Sequence, residues 1–268
     1  FVIAAAGMFL VAKISGQGFR MTFLGHVLAL IIGLTQFSIN FNLVYEAEIR
    51  LTSGIVAVLF GLLLVPNAIL SRIFLGHAIT LRFALGSLIG IGGIVLLLIH
   101  EARAAEIGGT VGIGVMLVAV AILSVSIANV LQASDTAKSR PLYTLLAWSM
   151  LWGMVANIAY AWAVAGLPVI PQTPRYWAGV AYLALIGSVV TFPLYFRLIR
   201  DLGAGRAAYN GVLVPVVAMT LSTVFENYRW SWLAAAGAAL ALVGMVVALR
   251  SRQVPPPMPE SNPLNPSR

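Results

Sequence analysis

Cysteine is absent from the sequence, and charged residues are scarce. With no cysteine among its 268 residues, the chain can form neither a disulfide framework nor a thiolate metal site. Only 9% of the residues are charged, whereas soluble domains carry about 25%, so charge cannot cover a water-exposed surface. A basic stripe with interleaved aromatic residues is also missing, which argues against a nucleic-acid partner despite the formal net charge of +8.

Apolar runs take up the length instead. Hydrophobic residues make up 60% of the chain, and the mean hydropathy is +0.98. Eight runs approach the roughly 20 residues that a helix needs to cross a bilayer. A ninth run, Phe1 to Ala12, is shorter and has no polar flank before it, so we expect the sequence to start inside a helix. The pattern predicts an all-α, multi-pass membrane protein. The eight runs are 23–45, 51–75, 79–99, 110–132, 142–167, 176–197, 206–226 and 230–249.

The basic residues predict the orientation of these helices. Short connections make successive helices antiparallel, so alternate loops lie on opposite sides of the membrane. Twelve of the 16 Lys and Arg residues fall on the side of the C-terminus. Cytoplasmic loops are the ones rich in Lys and Arg, so we expect an inner-membrane protein with a cytoplasmic C-terminus. Residues 253–268 hold six of the 13 prolines and are predicted to form a disordered tail. The four basic residues on the other side are Arg50, Arg103, Arg175 and Arg229.

The chain also resembles itself. An offset of 151 aligns residues 43–96 with 194–247, and the two copies lie five spans apart. Because five is odd, equivalent helices cross the membrane in opposite directions, as in the inverted repeats of secondary transporters. We therefore expect a first repeat at 1–107, short of one helix that precedes Phe1, and a second at 108–252. The most informative matched pairs are Phe74/Phe225, Gly86/Gly237 and Gly93/Gly244.

Each copy has small residues entering a helix, a mid-helix proline (Pro66, Pro215), a Phe near the helix end, and a closing helix with spaced glycines. In this layout the chain resembles the EamA family of the drug/metabolite transporter superfamily over residues 1 to about 252. Within that family it is most similar to the YddG-type exporters of aromatic and other neutral amino acids. The resemblance implies ten helices in two inverted sets of five, with both termini cytoplasmic. The family's first helix, which lines the central cavity, has no counterpart in this sequence.

Polar residues inside the apolar runs are the candidate solute-binding residues. Gln36 and Asn40 share one helix face near mid-membrane, and Ser188, Thr191 and Tyr195 share a face of the run that the repeat relates to it. Facing each other, the two sets would offer donors and acceptors to a zwitterionic solute. The alternative is hydrogen bonding between helices, worth under about 1 kcal/mol each. The remaining candidates are Asn67, Asn129, Tyr209 and Asn210.

Prolines and glycines predict where helices bend and where they touch. Pro66 and Pro215 each remove a backbone hydrogen bond inside a run, so we expect these helices to bend there and to serve as hinges or gates. Packing alone is the alternative. Gly86 and Gly90, extended by Gly93, are typical of close helix–helix contact.

The absence of certain motifs narrows the function further. Every Asp and Glu falls at a span end, in a loop or in the tail, whereas a proton-coupled carrier usually keeps an intramembrane carboxylate. We therefore expect facilitative transport by alternating access. No H-E-x-x-H or G-x-S-x-G motif occurs, so no catalytic residue, metal or cofactor is predicted. A membrane enzyme and a sensor or assembly subunit are the alternatives from other classes.

The expected solute is a small neutral molecule. No Lys or Arg lies at mid-membrane, which disfavours phosphates, whereas amides and hydroxyls beside aromatic residues favour amino acids and related metabolites. Drugs and other metabolites are the alternative solutes. The expected partners are this solute and the lipid bilayer, with a monomer as the expected assembly.

Overall fold

The computed structural model describes residues 1–104, 110–166, 171, 173–202, 207, 210–225 and 230–250. Across these residues the secondary structure is entirely helical, without β-strands, as the sequence predicts. A short helical turn, Asp135–Lys138, joins the fifth and sixth long helices. The predicted tail 253–268 lies outside the described residues. The long helices are α1 Val2–Ile14, α2 Phe23–Glu48, α3 Ser53–Leu75, α4 Leu81–Ala104, α5 Thr110–Ala133, α6 Leu142–Ala165, α7 Pro174–Leu202, α8 Asn210–Phe225 and α9 Trp232–Arg250.

The lengths of these helices suit a bilayer. Within the described residues, α2, α3, α5, α6 and α7 are each long and apolar enough to cross the hydrocarbon core, with 23 to 29 residues. Much of their outer surface is both apolar and exposed, including Met116, Trp162 and Leu194. Such a surface is favourable in lipid, where a helix also satisfies its own backbone polar groups. These helices are therefore those of a membrane protein by length and composition.

Helix ends follow local sequence chemistry. Thr22 precedes α2 and accepts a hydrogen bond from the Gly25 backbone N–H at 3.2 Å, which satisfies one of the donors left free at a helix start. Gly76 ends α3 with a φ of 73°, and Gly166 ends α6 with a φ of 74°. Glycine adopts a positive φ at little steric cost, and Gly76 has the left-handed helical conformation that commonly ends a helix.

Helix α5 lies at the centre of the bundle because both main apolar clusters include it. One cluster joins α5 to α1, α2, α6 and α7 around Met8, Phe37 and Phe196. The other joins α5 to α2, α3, α4 and α9 around Ile55 and Val118. Polar residues on α5 are therefore surrounded by other helices rather than by lipid.

Two helices widen into π-helical turns near their middles. The first turn, Gly33–Ile39, lies in α2, and the second, Leu185–Val190, lies in α7. The second occupies the positions that an offset of 151 assigns to residues 34–39. A π turn leaves backbone carbonyls without their usual partner, and such turns are frequent at functional sites.

Helices α4 and α9 approach until their backbones touch. A Cβ atom added to Gly93 would lie 2.6 Å from the Gly237 carbonyl oxygen, and one added to Gly86 would lie 2.8 Å from the Gly244 carbonyl oxygen. The reciprocal approaches, Gly237 to Gly93 and Gly244 to Gly86, are equally close at 2.8 and 2.7 Å. The prediction of close helix packing at these glycines is confirmed.

Candidate solute-binding site

Three helices meet at Asn129 of α5. Its Nδ2 atom donates to Asn67 Oδ1 of α3 at 3.5 Å and to the Tyr195 hydroxyl of α7 at 3.3 Å. Asn67 and Asn129 are both completely buried. Three residues predicted separately as site residues are thus brought together at one point.

Arg200 extends this group by one turn. Its Nε and Nη2 atoms donate to Gln132 Oε1 at 3.3 and 3.2 Å, and its Nη1 atom donates to the Arg140 carbonyl oxygen at 2.9 Å. Gln132 is completely buried and lies one turn after Asn129 on α5. We call these five residues the α3–α5–α7 cluster: Asn67, Asn129, Gln132, Tyr195 and Arg200.

Sequence reasoning missed the role of Arg200. In the sequence, Arg200 is one of the twelve basic residues on the side of the C-terminus, and membrane orientation alone explains a positive charge there. The side chain instead turns into the bundle, where Gln132 accepts from it. A buried Gln facing the end of a neighbouring helix was the available signal, but only the fold shows which cation can reach it.

The cluster keeps unused hydrogen-bonding capacity. Asn67 Nδ2, Asn129 Oδ1 and Gln132 Nε2 are buried and have no hydrogen-bond partner among the described residues. A buried polar atom left unpaired costs about 1–3 kcal/mol. These atoms supply two donors and one acceptor that a polar solute can use.

Gln36 and Asn40 form a second polar group on α2, next to α5. Both are buried, and Asn40 Nδ2 donates to the Gln36 carbonyl oxygen at 3.5 Å. Ser124 of α5 donates to the Thr35 carbonyl oxygen at 2.8 Å, which holds the two helices together here. Gln36 Oε1 and Asn40 Oδ1 have no partner among the described residues, so both remain available acceptors.

Aromatic rings fill the contact between α2 and α7. Phe37 and Phe41 of α2 lie 4.8 and 6.4 Å, centroid to centroid, from Phe192 of α7. The row continues along α7, where Phe192 and Tyr195 lie 6.0 and 5.8 Å from Phe196. Tyr195 therefore belongs both to this row and to the α3–α5–α7 cluster.

The hydroxyls of Ser188 and Thr191 form hydrogen bonds within their own helix. Ser188 Oγ donates to the Leu183 carbonyl oxygen at 3.0 Å, and Thr191 Oγ1 donates to the Ile186 carbonyl oxygen at 2.8 Å. Both bonds span five residues across the π turn and satisfy carbonyls that the turn leaves free. Thr191 is exposed. The structure brings neither hydroxyl into the α3–α5–α7 cluster.

Asn42 and Asn157 were not predicted, yet they link α2 to α6. Asn42 Nδ2 donates to Asn157 Oδ1 at 2.7 Å, and Asn157 Nδ2 donates to the Phe37 carbonyl oxygen at 2.8 Å. Asn157 thus satisfies a carbonyl within the π turn of α2. Both asparagines interrupt apolar runs, which is the same signal that identified Asn67 and Asn129.

The structure describes the remaining predicted residues to different extents. Pro66 lies in α3, three residues after the tighter 3₁₀ turn Gly61–Leu63. Tyr209 lies outside the described residues. Asn210 and Pro215 belong to α8, but their side chains are not among those described. Where the structure is described, no group of three or more metal-ligating side chains occurs.

Comparisons with known proteins agree with this architecture. Residues 112–250 match the EamA-like transporter family. The chain is 28% identical over 255 residues to an uncharacterized transporter of Archaeoglobus fulgidus, covering 91% of this chain and 84% of that one. It is also 28% identical over 244 residues to the uncharacterized inner membrane transporter YedA of Escherichia coli K12, covering 89% and 77%.

A solved crystal structure of a protein shares the fold. Its TM-score is 0.66 at 17% sequence identity, and the match covers 92% of this chain and 83% of that chain. The helical arrangement described above is therefore that of a known structure.

Proposed function

The chain belongs to the EamA-like transporter family and is a membrane transporter, and we propose that it exports small neutral or aromatic amino acids by alternating access. In this proposal the chain acts as a YddG-type exporter of the drug/metabolite transporter superfamily. An inner-membrane location with a cytoplasmic C-terminus is part of the proposal. The basic residues support it, and the similar protein YedA is an inner membrane transporter by name.

One observation carries the choice of solute: buried amides with unpaired atoms lie beside a row of aromatic rings. Asn67, Asn129 and Gln132 offer donors and an acceptor, which suit the charged ends of an amino acid. Tyr195 joins these amides to Phe192 and Phe196, which suit an apolar or aromatic side chain. Solute pockets commonly combine an apolar lining with a few polar groups that fix orientation.

Alternating access is supported by two features that recur at an offset of 151. The π turn of α2 has a counterpart in α7 at 185–190. The contact of Gly86 with Gly244 becomes, after the offset, the contact of Gly237 with Gly93, which also occurs. Both are expected if 1–107 and 108–252 are inverted repeats whose relative rocking exposes a central site to each side in turn.

Facilitative transport completes the proposal. The carboxylates Glu46, Glu48, Asp135 and Asp201 lie at helix ends, and Glu46 accepts from Arg50 at 2.7 Å. A solute gradient alone would then drive transport. Export of drugs or other metabolites is the second candidate, because the same family membership and the apolar lining accommodate it.

Counterflow into proteoliposomes tests the function. Vesicles that contain the full chain and are preloaded with unlabelled phenylalanine should accumulate labelled phenylalanine. Preloaded vesicles without the protein should not. Accumulation should persist when an ionophore collapses the pH gradient. Loss of accumulation on that collapse would contradict facilitative transport, and exchange of drug-like cations without any amino acid would favour the second candidate.

A further inference from the structure

Arg200 is a half-buried cation at the end of α7, and the carboxylate recorded to act on its charge, Asp201, is largely exposed. Its three recorded acceptor contacts go to neutral groups, the Gln132 amide oxygen and the Arg140 carbonyl. Among the described residues it forms no ion pair, and the neighbouring Asp201 pairs with Arg197 at 3.9 Å. Burying part of a charge without an ion-pair partner is costly, so this position favours an incoming anion.

The free donors at this point match a carboxylate. A guanidinium group has five N–H donors in a planar fork, and three of them are used here. Gln132 Nε2 is a further donor, completely buried and without a partner in the described part of the chain. A fork of N–H groups binds a carboxylate through two parallel hydrogen bonds, which are about twice as strong as neutral ones.

We propose that Arg200 and Gln132 bind the carboxylate of the transported solute. This inference rests on the proposed function and makes it more specific, because it makes a free carboxylate a determinant of selectivity. Asn129 lies one turn from Gln132 on α5, and its unpaired Oδ1 is the acceptor available to the solute's ammonium group. The solute's side chain then lies toward the aromatic row that Tyr195 begins.

A purely structural role for Arg200 makes a different prediction. Its bond to the Arg140 carbonyl joins α7 to the connection between α5 and α6, so its loss could weaken the fold for every solute alike. The discriminating measurement is therefore a ratio between two solutes. Phenylalanine and phenylalaninamide share the ring and the amino group, but only phenylalanine has a carboxylate.

The experiment measures half-saturation concentrations for both solutes in proteoliposomes that contain the full chain. In Arg200→Gln we expect the value for phenylalanine to rise about tenfold, as loss of a charge-assisted hydrogen bond implies. The value for phenylalaninamide should stay nearly constant. Arg200→Lys, which keeps the charge without the fork, should fall between the wild type and Arg200→Gln.

A matched control and a second variant keep the test decisive. Arg197→Gln removes a cation from the same helix whose side chain is exposed and pairs with Asp201, and it should leave both values unchanged. Gln132→Glu would supply an internal carboxylate to Arg200, so it should abolish the preference for phenylalanine while the protein stays folded. It serves in place of Arg200→Gln if that variant fails to fold.

The outcomes separate the two proposals. Equal changes for both solutes in Arg200→Gln, or no change in either, would overturn the carboxylate site and leave amino-acid transport standing. A wild-type protein that exchanges neither phenylalanine nor any other amino acid would overturn the proposed function itself, and the carboxylate site with it.

Discussion

Asn129 links three helices, because its Nδ2 atom donates to side chains of both α3 and α7. Its replacement by Leu would leave Asn67 Oδ1 and the Tyr195 hydroxyl without this donor, at about 1–3 kcal/mol for a buried group. We expect Asn129→Leu to reduce phenylalanine counterflow about tenfold, because the same side chain contributes an acceptor to the solute. Initial rates at equal protein content in the vesicles measure the effect.

Ser126→Ala is the matched control for that prediction. Ser126 is completely buried on the same helix, one turn before Asn129, but its hydroxyl donates to the Ile122 carbonyl oxygen of its own helix. Counterflow by Ser126→Ala should equal that of the wild type. Equal losses in the two variants would show that α5 tolerates no change at this depth and would remove Asn129 from the site.

The residue scale also shows what a sequence can and cannot identify. Asn67, Asn129 and Tyr195 could be predicted because polar side chains are rare in apolar runs and must find partners. Arg200 could not, since a basic residue at a helix end already has an explanation in membrane orientation. Ser188 and Thr191 met the same polar criterion, but the π turn of α7 gives their hydroxyls local acceptors. A π turn depends on packing rather than on residue pattern.

At the scale of elements, the sequence predicted close backbone packing by the glycines of α4, and the structure shows that their partner is α9. The glycines at 86 and 93, seven residues apart, make the tight contacts, whereas a Cβ atom on Gly90 would lie at an ordinary 3.7 Å from the Ala241 carbonyl oxygen. Gly90 is nevertheless part of the contact, because a Cβ atom added to Gly244 would lie 2.5 Å from the Cα atom of Gly90. The spacing of the glycines could predict that they share one face of α4. It could not predict which of them lies closest to the backbone of α9.

Neighbouring glycines of α4 give a test with an internal control. An added Cβ atom at Gly93 meets the Gly237 carbonyl oxygen at 2.6 Å, whereas one at Gly92 meets nothing within 4 Å. Overpacking of this kind costs about 1–3 kcal/mol, so Gly93→Ala should lower the thermal midpoint of the purified protein. Gly92→Ala should leave it unchanged or raise it, because Ala favours a helix over Gly.

Thermal unfolding in detergent, followed by tryptophan fluorescence, compares these two variants. A Gly93→Ala protein as stable as Gly92→Ala would mean that α4 and α9 separate easily. Their close contact would then contribute little to the stability of the protein.

At the scale of the whole molecule, the positions of the apolar helices could be predicted because the bilayer imposes both length and composition. All nine predicted runs correspond to helices within the described residues. How the helices pack could not be predicted in the same way. The central place of α5, where both apolar clusters meet, depends on which faces touch, and helices that are apolar all round do not reveal this.

Orientation is the whole-molecule prediction that the absence of cysteine makes easiest to test. Ser139, in the connection between α5 and α6, and Thr173, before α7, are both exposed and lie at opposite ends of α6. Twelve of the 16 basic residues are on the side of Ser139, and basic loops stay in the cytoplasm. In intact cells, a membrane-impermeant maleimide should therefore label Thr173→Cys but label Ser139→Cys only after permeabilisation. The unmodified chain, which has no thiol, should stay unlabelled in both conditions, and the reverse pattern would place the C-terminus outside.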